Sequence, residues 1–360
     1  MSDSLQTPLC DMLGCRYPII QTAMGWVARP ELVAASCNAG AFGFLAAAVM
    51  SAEEVGPAIE RVRALTDRPF GVNFHMFQPG AERVVDTLIA KKVTAVSFGR
   101  GSDKRIIERF RGAGIKCVPT VGALKHARKM AELGVDMLVV QGGEGGGHTG
   151  SVASTVLLPQ VLDAVHLPVV AAGGFGDGRG LAAALAFGAQ GIAMGTRFLM
   201  TRDCPVPEQT KQRYVDASTD DIFVTTKIDG LPQRMIHNRV TDRIEHAGRL
   251  RMLVLALSSA WRLKHITDAS VAQMLSAARG MSRRGDLTFG QALTAAIAPV
   301  LFQRSMLVGD PEDGIMATGL IAGRLADLPS CEELVQRIIR EAYERLAALG
   351  VPVDRLRAAG

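Results

Sequence analysis

The sequence predicts an α/β fold, and specifically a (β/α)8 TIM barrel. Between residues 17 and 198, a short apolar run, a small or polar residue and a helix-length stretch follow one another eight times. Eight units favour a closed barrel over a doubly wound sheet, which usually has about five to seven strands. The apolar runs, interpreted as buried parallel strands, are residues 18–21, 41–45, 70–73, 95–98, 116–120, 137–141, 169–172 and 191–194.

Helices are predicted between these runs. Ser51 and Glu54 form the Ser-x-x-Glu pattern that caps the start of a helix. Residues 124–133 predict an amphipathic helix, and residues 330–349 predict the last one. The small-residue segment 314–323 predicts a closely packed helix.

The strand and helix repeat stops after Thr201. Residues 1–203 and 311–360 therefore predict the barrel, and residues 204–310 predict a helical insertion after strand 8 that folds as a lid over the barrel mouth. Its basic, helical patterns are clearest at 250–263 and 271–284.

Composition limits the classes of function. The net charge of +5 is too small and dispersed for a nucleic-acid surface, and aromatic side chains that could stack on bases are few. Six cysteines form neither a Cys-x-x-Cys pair nor a Cys/His metal pattern, which predicts reduced thiols and no metal site. The amino terminus lacks a signal-peptide pattern and no apolar run reaches membrane-spanning length, so we expect a cytoplasmic protein.

One glycine-rich stretch, Gln141-Gly-Gly-Glu-Gly-Gly-Gly-His148-Thr-Gly150, directly follows the sixth predicted strand. Glycines let the backbone approach a flat ligand closely, and His148 can exchange a proton near neutral pH. Ligands of a barrel bind at the carboxyl ends of the strands, so this stretch predicts the active site. The alternative is a flexible loop whose histidine caps a helix.

Other strand ends are also polar or rich in glycine. After strands seven and eight, Gly173-Gly174 and Gly195-Thr196 precede helices, an arrangement that suits a phosphate group because helix N-termini present free N–H groups. In the insertion, Lys227 and Arg234 are candidate ligands for an anionic substrate, although most such charges are solvated.

Together these residues resemble the nitronate monooxygenase (2-nitropropane dioxygenase) family of FMN-dependent TIM-barrel enzymes. The motifs are Gln21 with Met24-Gly25, Pro69-Phe-Gly-Val-Asn73, the Gln141–His148 stretch, Gly173-Gly-Phe-Gly-Asp-Gly-Arg-Gly180 and Met194-Gly-Thr-Arg-Phe198. The resemblance implies FMN, with its phosphate on Gly173, Gly174, Gly195 and Thr196 and its ring near Ala23, Met24, Asn73, Thr120, Gln141 and Gly146. Gly25, Gly147 and Ala172 complete the implied cofactor site, and His148 matches the active-site histidine of the family.

Within this family, the sequence is similar to the acyl-CoA dehydrogenating branch of bacterial steroid C/D-ring breakdown. The likeness includes Gln21-Thr-Ala-Met-Gly-Trp-Val27, Val224-Thr-Thr-Lys-Ile-Asp-Gly-Leu-Pro-Gln-Arg234 and Asp327-Leu-Pro-Ser-Cys331. It implies formation of a C=C bond conjugated to a ring ketone and a CoA thioester. Leu320 departs from the pattern, since many relatives have glutamine there.

The chemistry of the residues agrees with this implication. A hydride leaves a carbon β to a carbonyl when a base removes the α proton, and His148 is the candidate for this acid/base role. Three alternatives stay open: a nitronate monooxygenase that uses O2, an NAD(P)H-dependent enoyl or quinone reductase, and a non-catalytic flavin-binding protein. Apolar helices in the insertion make a homodimer an expectation.

Overall fold

The computed structural model describes residues 5–99, 101, 103–246 and 289–351. The predicted helical stretches 250–263 and 271–284 lie outside the described residues. The chain divides into two compact units. Unit 1 comprises Met1–Gly145, Gly150–Pro205 and Leu325–Gly360, and unit 2 comprises Gly146–Thr149 and Val206–Arg324.

Twelve strands lie in the described residues. They are β1 (Ile19–Gln21), β2 (Phe42–Ala46), β3 (Gly71–Asn73), β4 (Ala95–Ser97), β5 (Lys116–Cys117), β6 (Thr120–Val121), β7 (Leu138–Gln141), β8 (Gly147–His148), β9 (Val169–Ala172), β10 (Ile192–Met194), β11 (Ile222–Thr225) and β12 (Gln233–Ile236). Nine of them form the parallel sheet of unit 1, in the order β5-β4-β3-β2-β1-β10-β9-β7-β6.

The two edges of this sheet belong to one stretch of chain. Only Val118 and Pro119 separate β5 from β6, and the N–H of Val118 donates to Val96 in β4 at 2.8 Å. On the other side, the carbonyl of Pro119 accepts the N–H of Val139 in β7 at 2.9 Å. Residues 116–121 therefore close the sheet, and the predicted α/β TIM barrel is confirmed, with the fifth predicted strand divided into β5 and β6.

The described helices are α1 (Pro8–Leu13), α2 (Pro30–Asn38), α3 (Ala52–Leu65), α4 (Ala81–Ala90), α5 (Lys104–Gly112), α6 (Leu124–Glu132), α7 (Ser154–Leu162), α8 (Gly178–Ala186), α9 (Thr196–Leu199), α10 (Glu208–Val215), α11 (Arg239–His246), α12 (Phe289–Gln303) and α13 (Cys331–Ala348). The predicted cap of α3 is present, because the N–H of Ser51 donates to Glu54 Oε2 at 2.7 Å. Among these helices, none combines the length and the apolar character needed to cross a bilayer.

Apolar side chains from the strands fill the interior of the barrel. The buried cluster includes Ile20, Phe44, Val139 and Val170. A side chain on Gly71 would place its Cβ 2.3 Å from the ring of Phe44, so glycine is required where these neighbouring strands pair. The barrel is thus a packed core, and its ligands must bind at the ends of the strands.

Unit 2 contains a small antiparallel sheet in the order β11-β12-β8. The prediction that residues 314–323 form a helix is wrong. Met235 in β12 bridges Ala317, and the N–H of Ile236 donates to Met316 at 3.0 Å. Pairing with β12 uses the backbone groups that a helix needs, and only Leu320–Arg324 forms a short 3-10 turn.

Candidate active site

In unit 1, the glycine-rich ends of the adjacent strands β7 and β9 pack closely together. The N–H of Gly142, which follows β7, donates to the carbonyl of Ala172 in β9 at 2.9 Å. Gly173 has a φ of +90°, and a Cβ there would lie 2.9 Å from the carbonyl oxygen of Gly142. Gly174 also has a positive φ, of +83°. These glycines are therefore required both by backbone conformation and by the close approach of the loops.

The ends of β9 and β10 present unpaired donors side by side. Ala172 and Ala193 are register partners, so Gly174 and Gly195 follow equivalent positions of neighbouring strands. Within the described part of the chain, the backbone N–H groups of these two glycines donate to no protein acceptor. Helix α8 starts a few residues later with Asp177 as its cap, which accepts the N–H of Gly180 at 3.0 Å. Such donors beside helix starts fit the phosphate of the implied cofactor.

A glutamate that sequence reasoning did not select organises these loops. Both carboxylate oxygens of Glu144 accept the N–H of Ser154 at the start of α7, at 3.1 and 3.0 Å. The hydroxyl of Ser154 lies 2.8 Å from Glu144 Oε2 and 2.9 Å from the carbonyl oxygen of Gly173. One carboxylate thus ties the loop after β7 to α7 and to the end of β9. A charged residue among five glycines is the signal that could have found it.

The residues implied to lie near the flavin ring include Met24, which follows β1, and Asn73, which ends β3. A Cβ on Gly195 would lie 3.2 Å from the sulfur of Met24, which places Met24 beside the end of β10. Asn73 ends β3, and its Nδ2 donates to the carbonyl of Ser97 at 3.0 Å. Trp26 has a φ of +61°, which is rare for a bulky side chain and was not predicted. The predicted residues that follow β1, β9 and β10 therefore lie at the carboxyl ends of those strands. Asn73 and Gln141 are the last residues of β3 and β7, and Thr120 is the first residue of β6.

His148 lies in unit 2, on the two-residue strand β8. Its Nε2 is 2.6 Å from Oδ2 of Asp229, a residue of the loop between β11 and β12. Asp229 Oδ1 accepts the N–H of Leu231 at 3.2 Å. The side chain of His148 is 46% exposed and that of Asp229 is 21% exposed, so the imidazole is the more accessible member of the pair. The pair can hold a proton at a site that solvent reaches.

The carboxyl group of Asp229 is ionised at neutral pH. Burial raises the pKa of this carboxyl, but hydrogen bonds from His148 and Gln233 outweigh burial and lower its pKa to about 2. Gln233 is also the register partner of His148 in the small sheet. The pairing of β8 with β12 therefore assembles the acid and the histidine from distant parts of the sequence.

The remaining predicted residues of unit 2 lie close in sequence to His148 or Asp229. A Cβ on Gly146 would lie 2.5 Å from the backbone N of Gly319, whereas Gly147, with a φ of +62°, has open space around it. Arg234 is the register partner of Gly147 in β12. Lys227 forms an ion pair of 3.4 Å with Glu245, so its charge is compensated within the unit.

Comparison with known proteins agrees with the predicted family. The family model of nitronate monooxygenase matches residues 6–83 and 76–341. A "(3aS,4S,5R,7aS)-5-hydroxy-7a-methyl-1-oxo-octahydro-1H-indene-4-carboxyl-CoA dehydrogenase" of Rhodococcus jostii is 44% identical over 96% of this chain and 98% of its own length. The protein of the same name in Mycobacterium tuberculosis is also 44% identical, over 97% and 99% of the two chains.

More distant relatives share the fold. A probable nitronate monooxygenase of Staphylococcus aureus is 32% identical over 66% of this chain and 79% of its own length. The structure of FabK from Thermotoga maritima matches with a TM-score of 0.78 and 29% identity, over 96% of this chain and 98% of that one. The nitroalkane oxidase of Streptomyces ansochromogenes matches with a TM-score of 0.75 and 28% identity, over 95% and 99%. The predicted class of enzyme, an oxidoreductase, is confirmed, and the chain belongs to the nitronate monooxygenase family.

Proposed function

We propose that this protein is an FMN-dependent oxidoreductase that introduces or reduces a C=C bond conjugated to a carbonyl in a cyclic keto-acyl-CoA. One observation carries the proposal. The two relatives named as dehydrogenases of a bicyclic CoA thioester align over 96% and 97% of this chain, whereas the nitronate monooxygenase relative aligns over 66%. Similarity to the thioester enzymes therefore includes most of unit 2 as well as the barrel.

The glycine-rich strand ends of unit 1 support FMN as the cofactor. In this proposal, Gly173, Gly174, Gly195 and Thr196 hold the phosphate through backbone N–H groups and a hydroxyl. The remaining cofactor residues are Ala23, Met24, Gly25, Asn73, Thr120, Gln141, Gly146, Gly147 and Ala172. Bound FMN supplies a hydride acceptor or donor. The protein must then bind the substrate, orient it and move one proton.

His148 is the proposed acid/base. The thioester carbonyl acidifies the α proton of the substrate, and the imidazole removes this proton as the hydride leaves the β carbon. Reduction runs through the same steps in reverse, with His148 as the acid. Backbone N–H groups of the glycine-rich stretch can stabilise the enolate oxygen that develops between these steps.

Residues 204–310 are the proposed source of substrate specificity. A CoA thioester carries phosphate groups, and Lys227 and Arg234 are the cations of the described part of this segment that we propose to bind them. Lys227 must then share its charge with Glu245, which lies 3.4 Å away. Binding of CoA is therefore expected to weaken with salt.

An anaerobic stopped-flow experiment tests the proposal. The purified protein is mixed separately with a bicyclic keto-acyl-CoA, a nitronate, NADH and NADPH, and the flavin absorbance is followed. Bleaching by the thioester, lost in His148→Ala, is the expected result. His237→Ala is the matched control, because His237 also pairs with an aspartate of unit 2.

Other outcomes distinguish the alternatives. Bleaching by nitronate alone, with oxygen consumption in air, would make the protein a nitronate monooxygenase, as the nitroalkane oxidase similarity favours. Rapid bleaching by NADH or NADPH alone would make it a reductase. A colourless protein that binds no FMN would contradict the cofactor and the reaction together.

A further inference from the structure

Hydrogen bonds and strand pairing fix the relative positions of the Asp229 carboxylate and the His148 imidazole. Both oxygens of the carboxylate are engaged, since Oδ2 lies 2.6 Å from the imidazole Nε2 and Oδ1 accepts the N–H of Leu231 at 3.2 Å. The histidine is held by its strand pairing with Gln233. Every one of these contacts lies within unit 2.

The charge of Asp229 decides which imidazole nitrogen carries the hydrogen. Since its pKa is lowered to about 2, Asp229 is a carboxylate near neutral pH. An ionised carboxylate only accepts hydrogen bonds, so Nε2 of His148 must be the donor. In the neutral imidazole, the lone pair then lies on Nδ1.

We propose that Asp229 is a positioning residue that selects the Nε2–H tautomer of His148 and so makes Nδ1 the atom that exchanges a proton with the substrate. This inference rests on the proposed function. In the oxidative direction, the C–H bond at the α carbon breaks and its proton forms an N–H bond at Nδ1. The hydride of the β carbon passes to the FMN of the proposed function, and a C=C bond forms. The imidazolium then has hydrogen on both nitrogens, with the Asp229 carboxylate beside it.

The tautomer can be measured without a substrate. In the holoprotein labelled with 15N-histidine, long-range 1H–15N spectra distinguish Nε2–H from Nδ1–H, and His148→Ala identifies the signals of His148. We expect the Nε2–H form in the wild type and a mixture of tautomers in Asp229→Asn, because an amide offers both a donor and an acceptor. An Nδ1–H wild type would overturn the inference.

A matched control lies in the same unit. His237 Nδ1 is 2.8 Å from Oδ1 of Asp242, whose side chain is 56% exposed against 21% for Asp229. Asp242→Asn is expected to change the signals of His237 and leave those of His148 unchanged. If it changed the His148 signals as Asp229→Asn does, a general loosening of unit 2 would explain both, and the specific role of Asp229 would be wrong.

Measurements of kcat and KM distinguish a positioning role of Asp229 from a purely structural one. We expect Asp229→Asn to lower kcat for the thioester by about 10²-fold with little change in KM, since general acid–base groups contribute about 10² to 10⁴. Asp229→Glu retains the charge and should recover part of the rate, and it also serves if the asparagine variant folds poorly. A kcat for Asp229→Asn within twofold of wild type would overturn the inference.

Failure of the proposed function would look different. If no thioester reduced the flavin of the wild type, the proposed reaction would be wrong. The 15N spectra would still decide whether Asp229 selects the tautomer, because that measurement needs no turnover.

Discussion

Arg197 and Asp327 form a hydrogen-bonded ion pair, with 2.8 Å between Nη1 and Oδ1, although 130 residues separate them in the sequence. The side chain of Arg197 is only 1% exposed. Its Nη2 also donates to the carbonyls of Met200 at 2.6 Å and of Asp327 at 2.9 Å. This cluster fixes the segment after β10 to the segment that precedes α13, and both segments belong to unit 1.

Removal of the Asp327 carboxylate should therefore destabilise the barrel. Breaking a buried ion pair costs about 3–5 kcal/mol, but Asp327 is 45% exposed and water can replace part of the contact, so we expect a loss of about 2 kcal/mol for Asp327→Ala. Arg337 contacts the other oxygen of Asp327 at 2.6 Å and is 35% exposed. Arg337→Ala should cost about 1 kcal/mol or less. Urea unfolding measures both, and equal losses would contradict the assigned role of Arg197.

Gly146 and Gly147 should respond differently to alanine. In Gly146→Ala the new Cβ meets the backbone of Thr318 and Gly319 at 2.5 Å, an overpacking that costs about 1–3 kcal/mol and displaces His148. Gly147→Ala meets no neighbour and carries only the strain of its φ of +62°, about 1–2 kcal/mol. Thermal unfolding and kcat measure the two effects. A larger loss of kcat in Gly147→Ala would contradict the packing argument.

Glu144 should be needed for cofactor retention. In Glu144→Ala, the N–H and hydroxyl of Ser154 lose their carboxylate acceptor, and the loops after β7 and β9 lose their link. We expect FMN to bind about tenfold more weakly, which corresponds to about 1.4 kcal/mol. Flavin fluorescence during titration of the flavin-free protein measures the Kd. Glu132→Ala, at an exposed position of α6, is the control and should leave the Kd unchanged.

The stability that Asp229 provides should depend on acid pH. Its pKa is lowered from 3.8 to about 2 in the folded state, so the wild type gains stability over Asp229→Asn at any pH above about 4. As the pH falls from about 4 to 2, the folded carboxylate takes up its proton and the advantage is lost. Urea unfolding at pH 7 and pH 2.5 should show a clear difference between the two proteins at neutral pH and a much smaller one in acid. An equal difference at both pH values would mean that the ionisation of Asp229 contributes nothing to stability.

The eight barrel strands could be predicted because a strand buried on both faces is an apolar run. Predicted residues 169–172 coincide with β9, and β5 and β6 fall within or next to the predicted residues 116–120. The glycines that we propose to bind the phosphate could be selected for a similar reason, since the repeat itself marks where each strand ends. The pattern of apolar residues in a short segment is sufficient to predict a strand when burial of that segment decides its structure.

Unit 2 was less predictable because its sheet depends on distant pairing. Gly147–His148 has no apolar side chain and becomes a strand only through Gln233 and Arg234, more than 80 residues away. Asp229 is 81 residues from His148 in sequence, so the contact between them has no local signal. The small residues at 314–323 matched a packed helix, but pairing of Ala317 with Met235 prevented it.

The grouping of Gly146–Thr149 with Val206–Arg324 has a consequence for how this scaffold diversifies. In sequence, His148 stands between two barrel strands. Its neighbours Asp229 and Gln233 belong to the separate segment 206–324. A chimera that receives residues 206–324 from a relative would keep the strand ends that we propose to bind FMN and would give His148 new hydrogen-bonding neighbours. Under the proposed function, the cofactor site and the surroundings of the acid/base residue can thus change through different segments of the chain.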